Sequence, residues 1–310
     1  MLVTAVNDAV LPQTPVRDSS AVWLVETVNG QEVYSNGLRV ETAMTQANEP
    51  RIPKVLDRAT LRAVNDARIS GIVFHTTESH LEPFGPANSV QIQNVGKNML
   101  EFVRKCRCYN YVVDRFGRVH RVVPESDAAW HAGDSVWGDD HAVFVDLNHT
   151  FLAVAFESQT QAGNVLPSTV TAAQVYAARA LTGMLRSRYG FSESNCVTHA
   201  QVSVNPANFL IGLHTDWAAN FPFYEIGLPD NYGRNYASLT EFGFVYDDHF
   251  LRSTGTRMLT GLSVSEDRIR RDAAARGLTI ESHRAALRQR YQTTTAALMQ
   301  AEEKRKEHRK

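Results

Sequence analysis

The chain reads as a mixed α/β domain preceded by a β-hairpin and followed by a basic helical extension. Three observations predict this. Short apolar runs, GIVFH, FLAVAFES and CVTH, have the length and composition of buried strands. Stretches with apolar residues at helical spacing lie between them. The last forty or so residues are instead rich in Arg, Lys and Ala.

Residues 1–20 show no periodicity and read as an arm. AVWLVETV and EVYSNGLRVET follow, joined through Asn29-Gly30, a pair that supplies the positive φ values of a tight hairpin turn. Residues 46–68 are polar and interrupted by Pro, as expected of a connection, so residues 1–68 form an arm and hairpin. A central domain spans 69–229. GIVFH opens it, and the turn-rich HLEPFGPANS leads into a helix with Val95, Met99, Phe102 and Cys106 along one face. YNYVVD and RVHRVV flank Arg115-Phe116-Gly117-Arg118 as a second hairpin, and FLAVAFES is a central strand. Ser168 or Thr171 caps a helix carrying Val175, Ala178, Leu181, Leu185 and Tyr189, and Gly190 stops it. CVTH returns to the sheet. In the extension, 230–310, Ser263 and Glu266 have the spacing of a capping box for a helix broken at Gly277, with a second helix after Thr279. That helical pair is too common a pattern to imply DNA binding, and no nucleic-acid partner is expected.

Hydrophobic content of 43% and charged content of 21% are those of a globular protein, and no apolar run approaches the ~18 residues of a membrane span. The start, MLVTAVNDAVLP, lacks a basic n-region and breaks its apolar stretch at Asn7 and Asp8, so a standard secretion signal is not expected and localisation stays open. Cys106, Cys108 and Cys196 are too few for a disulfide framework and are expected as thiols. The net charge of −1 hides an asymmetry: residues 268–310 hold twelve Lys and Arg against five Asp and Glu. A solvated helix face is the ordinary meaning of such a tail; an anionic partner is the other.

Most of the eleven His have no special context. His75 and His199 do, because each ends an apolar strand, where open α/β sheets present functional side chains. Asp216 lies in LHTDWAANFPF, a loop rich in aromatic and small residues. Together these read as a zinc site with three protein ligands and an open fourth position, the hydrolytic arrangement. His214 is a rival third ligand.

The order HTTES, YNYVVDRFGRVHRVVPESDAAWHAG, NHTFLAVAFES, THAQVSVNP and LHTDWAANFPF resembles the type-2 N-acetylmuramoyl-L-alanine amidases, over roughly residues 69–225. That group includes bacterial muramyl-peptide amidases, phage lysozyme-type amidases and animal peptidoglycan recognition proteins. The resemblance implies a central mixed sheet flanked by helices, one catalytic Zn2+, and cleavage of the bond between N-acetylmuramic acid and L-alanine in peptidoglycan or muramyl peptides. It assigns His75, His199 and Asp216 as metal ligands and Glu157 as acid/base. Tyr109 would assist at the site, and His214 stands where many relatives have Lys. Trp130 and His131 lie in WHAG, which would border the substrate cleft: Trp130 would pack the cleft wall, and His131 would either contact the substrate or stand behind a metal ligand; Glu78 belongs to a rim loop contacting the peptide. Some relatives bind peptidoglycan without cleaving it; the complete ligand set and Glu157 favour catalysis here. Oligomeric state is not legible.

Overall fold

The structure is a computed structural model that describes residues 21–160 and 170–307, with side chains to residue 303. The N-terminal arm, Ser168 and the last charged residues lie outside the described residues. In chain order the elements begin with β1 (Leu24–Val28), β2 (Gln31–Tyr34), β3 (Arg39–Glu41), β4 (Val55–Asp57), β5 (Ala63–Val64) and β6 (Gly71–Thr76). Then come α1 (Ser89–Cys106), β7 (Tyr111–Val113), β8 (Val119–Arg121), β9 (Val136–Gly138), β10 (Ala142–Val145) and β11 (Phe151–Phe156). α2 (Ala172–Tyr189), β12 (Cys196–Thr198), α3 (His199–Val202), β13 (Val204–Asn205) and β14 (Leu210–Ile211) follow. The chain closes with α4 (Ala237–Thr240), α5 (Asp248–Ser253), α6 (Thr256–Ala275) and α7 (Ile280–Glu307).

The main sheet has eight strands in the order β1-β2-β3-β8-β7-β11-β6-β12. β7, β11, β6 and β12 run parallel, while β7–β8 and the β1–β2–β3 meander are antiparallel. The expected hairpin is present, with Asn29 at φ 50° and Gly30 at φ 75°, and it is continuous with this sheet through parallel pairing of β3 with β8. Residues 46–68 are more than a connection: β4 and β5 join β10 and β9 in a second, four-stranded sheet.

The two faces of the main sheet are set by alternation along β11. Leu152, Val154 and Phe156 pack in one cluster with Ala178, Leu181 and Leu185 of α2. Ala153 and Ala155 pack in the other with Met99 and Val103 of α1. Small residues on the second face let α1 sit close. α1 buries Ile92, Met99 and Val103 and half-buries Val95 and Cys106, whereas Phe102, expected on that face, is 67% exposed and Val103 takes its place. α2 is capped as expected at Thr171, in a reciprocal box with Gln174, and ends at Gly190 in the left-handed region.

Two expectations are corrected. Cys106 and Cys108 are joined by a disulfide: the left-handed Arg107 at the end of α1 (φ 55°) turns the chain so that their Cα atoms are 5.1 Å apart. Cys196 is a buried thiol. Ser263 and Glu266 do not begin a helix, because α6 starts at Thr256 after Gly255; Ser263 is exposed and Glu266 pairs with Arg284 of α7. The break at Gly277 (φ 66°) is as expected, and Thr279 Oγ1 accepts the Ser282 N–H at the start of α7.

The core continues past residue 229 through Tyr232, Tyr236, Phe242, Phe244 and Phe250 to Leu298 of α7. α6 is held by Ser265 Oγ, which accepts the Tyr236 N–H at 2.9 Å, and by close approach at Gly261, where a Cβ would overlap the carbonyl oxygens of Tyr232 and Arg234. Gly261→Ala is therefore expected to destabilise the protein by about 3 kcal/mol through backbone overlap, despite Ala's better helix propensity. Urea unfolding would measure it; a neutral or stabilising effect would contradict this packing.

Candidate metal centre

Parallel pairing of β6 with β11 and β12 brings His75 and His199 together at the carboxyl ends of neighbouring strands. His75 is in register with Ala155 and so points to the α1 face. His199 opens α3, whose entry is fixed by Gln201 Oε1 accepting the Thr198 N–H at 2.9 Å. Asp216 arrives on a tight loop in which Ala218 N–H bonds the Thr215 carbonyl and Trp217 is left-handed (φ 59°). The Asp216 carbonyl accepts the Ala200 N–H at 3.2 Å, tying that loop to α3.

The three side chains converge. His75 Nδ1 lies 3.2 Å from Asp216 Oδ2, and His199 Nδ1 lies 2.8 Å from Oδ1. One donor atom from each of His75, His199 and Asp216 falls within a 4.8 Å span, the only such group of three or more among the described residues. Burial by itself would raise the Asp216 carboxyl; the two imidazoles outweigh it and hold it well below the usual range. Burial and the neighbouring His199 press His75 down to about 4. At neutral pH the His75–Asp216 contact is thus a hydrogen bond from a neutral ring, not an ion pair.

This donor set fits a zinc ion. Two neutral imidazoles and an ionised carboxylate are its ordinary ligands, and a cation would take the place of the protons shared between both Nδ1 atoms and the carboxylate. His199 Nε2 is buried without a hydrogen-bond partner.

His131 is 8% exposed, and its Nδ1 meets His75 Nε2 at 3.0 Å. Of its two expected places, at the substrate or behind a ligand, this geometry fits the second: it meets His75 from behind, as outer partners of metal-ligating histidines do. Asn148, which sequence reasoning missed, positions it by accepting the His131 and Ala132 N–H groups at 2.9 and 2.8 Å. Only its place in NHT, next to an apolar strand, could have drawn attention. Trp130 is 41% exposed and meets His149 edge-on.

Tyr109 is brought to the site. Its ring lies 5.2 Å from that of His75, and its hydroxyl donates to the Thr76 carbonyl at 3.3 Å. Burial first, then the charges of Asp216 and Glu78, raise its pKa, so it remains a donor. Glu78 is exposed and left-handed (φ 52°), and Oε1 accepts from Thr76, from the Thr160 hydroxyl and from the Thr160 N–H at 2.9 Å. His214, the rival ligand, stacks on the His199 ring at 4.6 Å while its N–H donates to Ser203 Oγ. Burial and His199 lower its pKa.

Glu157 follows β11 on the same face as His75, two residues beyond the register partner of His75. Strand geometry puts their Cα atoms about 8 Å apart. Its Oε2 accepts the Arg115 N–H at 3.0 Å, and burial pushes its pKa upward. The structure thus gathers His75, His199, Asp216, His214, Tyr109 and His131 in direct contact, and sets Glu157 beside them without a hydrogen bond to the cluster.

The N-acetylmuramoyl-L-alanine amidase family profile matches residues 65–216, a span that contains every ligand of this centre. Residues 65–216 belong to the type-2 amidase family. Solved amidase structures overlap it at low identity. The Escherichia coli amidase AmiD, in complex with anhydro-N-acetylmuramic acid-L-Ala-D-gamma-Glu-L-Lys, is 22% identical over 56% of this chain, at a TM-score of 0.39. That overlap spans 64% of the AmiD chain, less than two thirds of its length. AmpDh3 of Pseudomonas aeruginosa is 19% identical over 63% of this chain and 77% of its own, at a TM-score of 0.36. The Drosophila peptidoglycan recognition protein SD is 16% identical over 54% and 85%, at 0.31. No curated protein matches the chain in sequence.

The centre makes the metal-free protein acid-sensitive. His75 titrates near 6.5 when unfolded and at about 4 when folded, so the unfolded state binds the proton more readily as pH falls. The stability this represents, about 3 kcal/mol, is intact above pH 6.5 and lost as pH falls toward 4. Chemical unfolding of metal-free protein at pH 7.5 and 4.5 would show the loss, and His75→Gln should shrink it; equal stability at the two pH values would contradict it.

Proposed function

We propose that the protein is a zinc-dependent N-acetylmuramoyl-L-alanine amidase that hydrolyses the amide between N-acetylmuramic acid and L-alanine in peptidoglycan or muramyl peptides. The observation that carries this is the convergence of His75, His199 and Asp216 within the family-matched segment. Bound there, zinc would lower the pKa of a water ligand to about 7 and polarise the scissile carbonyl. Glu157 accepts a proton from the attacking water and delivers it to the departing nitrogen. The water oxygen bonds to the carbonyl carbon, the C–N bond breaks, and the peptide leaves as an amine. Its raised pKa suits Glu157 to this exchange. The Tyr109 hydroxyl, kept protonated, donates to the developing oxyanion. His131 fixes the His75 ring. A complete ligand set with a carboxylate beside it favours catalysis over binding without cleavage.

His214 serves as a neutral hydrogen-bond donor beside His199. His214→Lys would place a permanent charge there. It is expected to raise kcat/KM several-fold near pH 7 and to add an alkaline limb where the Lys deprotonates; an unchanged pH–rate profile would count against the role. The function itself is tested with muramyl peptide: turnover should vanish on chelation and return with added zinc, and chelator-insensitive turnover would overturn the proposal.

A further inference from the structure

The His75 ring is gripped at both nitrogens. Nδ1 faces Asp216 at 3.2 Å, on the side of the metal ligands, and Nε2 meets His131 Nδ1 at 3.0 Å on the other. How firmly His131 stands therefore governs how His75 is aimed. His131 has two supports of its own. Asn148 Oδ1 accepts the His131 and Ala132 N–H groups, and the loop 125–130 carries the chain into it.

Both supports are tied to residues 48–51, which precede the family-matched span. Arg51 Nη1 donates to the Asn148 carbonyl at 3.1 Å and to the Phe151 carbonyl, where β11 begins, at 2.9 Å. Its Nε donates to the Glu125 carbonyl at 2.7 Å, and Nη2 donates to Asn110 Oδ1 at 3.2 Å. Asn110 is buried, and the same oxygen accepts the Ala153 N–H of β11 at 3.0 Å. Beside Arg51, Asn48 Nδ2 donates to the Ala128 carbonyl at 2.7 Å, and the Ala128 N–H donates to the Glu49 carbonyl at 2.9 Å. All four acceptors of the guanidinium are uncharged. Burial lowers its pKa only to about 10, so it is a cation at neutral pH. A charge placed in the interior and spent on neutral oxygens is a costly way merely to fill space. Its planar fork is what reaches several carbonyls at once, which a Lys ammonium does not.

We infer that Arg51 is a positioning residue of the metal centre: its guanidinium locks Asn148 and the loop 125–130 against each other, and through them holds His131 behind His75. The centre is then completed by a residue that lies outside the amidase-matched segment and touches no ligand. The inference rests on the zinc reading of His75, His199 and Asp216, but not on which bond the protein cuts.

Zinc affinity of the full chain, measured by competition with a chromophoric chelator, tests this in a double-mutant cycle. His131→Phe keeps the ring volume but cannot accept from His75, and should weaken zinc binding about tenfold or more. Arg51→Lys should weaken it about fivefold in the wild type, and by less than about twofold once His131→Phe is present. Asn148→Ala interrupts the same path one step closer and should show the same dependence on His131, which keeps the test open if Arg51→Lys folds poorly. Gly261→Ala lowers stability from α6, far along the chain, and should leave zinc affinity unchanged. Undiminished zinc affinity in Arg51→Lys, a loss that adds in full to that of His131→Phe, or an equal loss in Gly261→Ala would overturn the inference. A wild type that takes up no zinc would overturn it together with the zinc reading. Protein that shows the expected cycle but leaves muramyl peptide uncut would sink the amidase reading alone, and leave Arg51 in its role.

Discussion

Asp216→Ala is expected to abolish stoichiometric zinc binding and to reduce kcat/KM by on the order of 10³-fold or more. The carboxylate is the acceptor for both Nδ1 atoms. Its loss leaves His75 and His199, both buried, facing each other across an empty position. Two neutral imidazoles lack the charge that balances a dication. Leaving two buried ring nitrogens unpaired should also cost the metal-free protein about 1–3 kcal/mol. Zinc analysis after dialysis and a steady-state rate would report both effects. A variant that kept a full equivalent of zinc would return His214 to consideration as the third ligand.

Glu157→Ala should retain zinc and lose about 10²- to 10⁴-fold in kcat, the range expected for a positioned proton carrier. The direction of its pKa shift adds a signature. Burial raises the carboxyl above an ordinary glutamate, so the acid limb of the wild-type profile should lie above 4.5, and the residual activity of the variant should lack that limb. Activity near the wild-type level would show that Glu157 does not carry the proton.

The sequence made the centre legible because strand ends are local features. GIVFH and CVTH are apolar runs whose last residue is polar, and parallel pairing turns that local coincidence into spatial contact at His75 and His199. The caps at Thr171 and Gly190 were readable for the same reason: their chemistry depends on a few neighbouring residues. What escaped depended on distant partners. β4 and β5 are three and two residues long, too short for a period of two to register, and exist because β10 offers them a ladder. Arg51 looked like loop, yet its guanidinium bonds the carbonyls of Glu125, Asn148 and Phe151 and the side chain of Asn110. Spacing at Ser263 and Glu266 imitated a cap inside a helix that starts earlier, at Thr256, and packs at Gly261 against the loop before α4. For His131 the sequence left two places open, at the substrate or behind a ligand, since nothing in WHAG tells which ring faces His75.

Which bond is cut decides the function. Zinc-loaded protein incubated with a muramyl tripeptide, followed by mass spectrometry of the products, should yield N-acetylmuramic acid with a free lactyl carboxylate and an intact peptide with a free L-alanine amine. Cleavage at a peptide or glycosidic bond, or no cleavage by protein carrying a full equivalent of zinc, would contradict it.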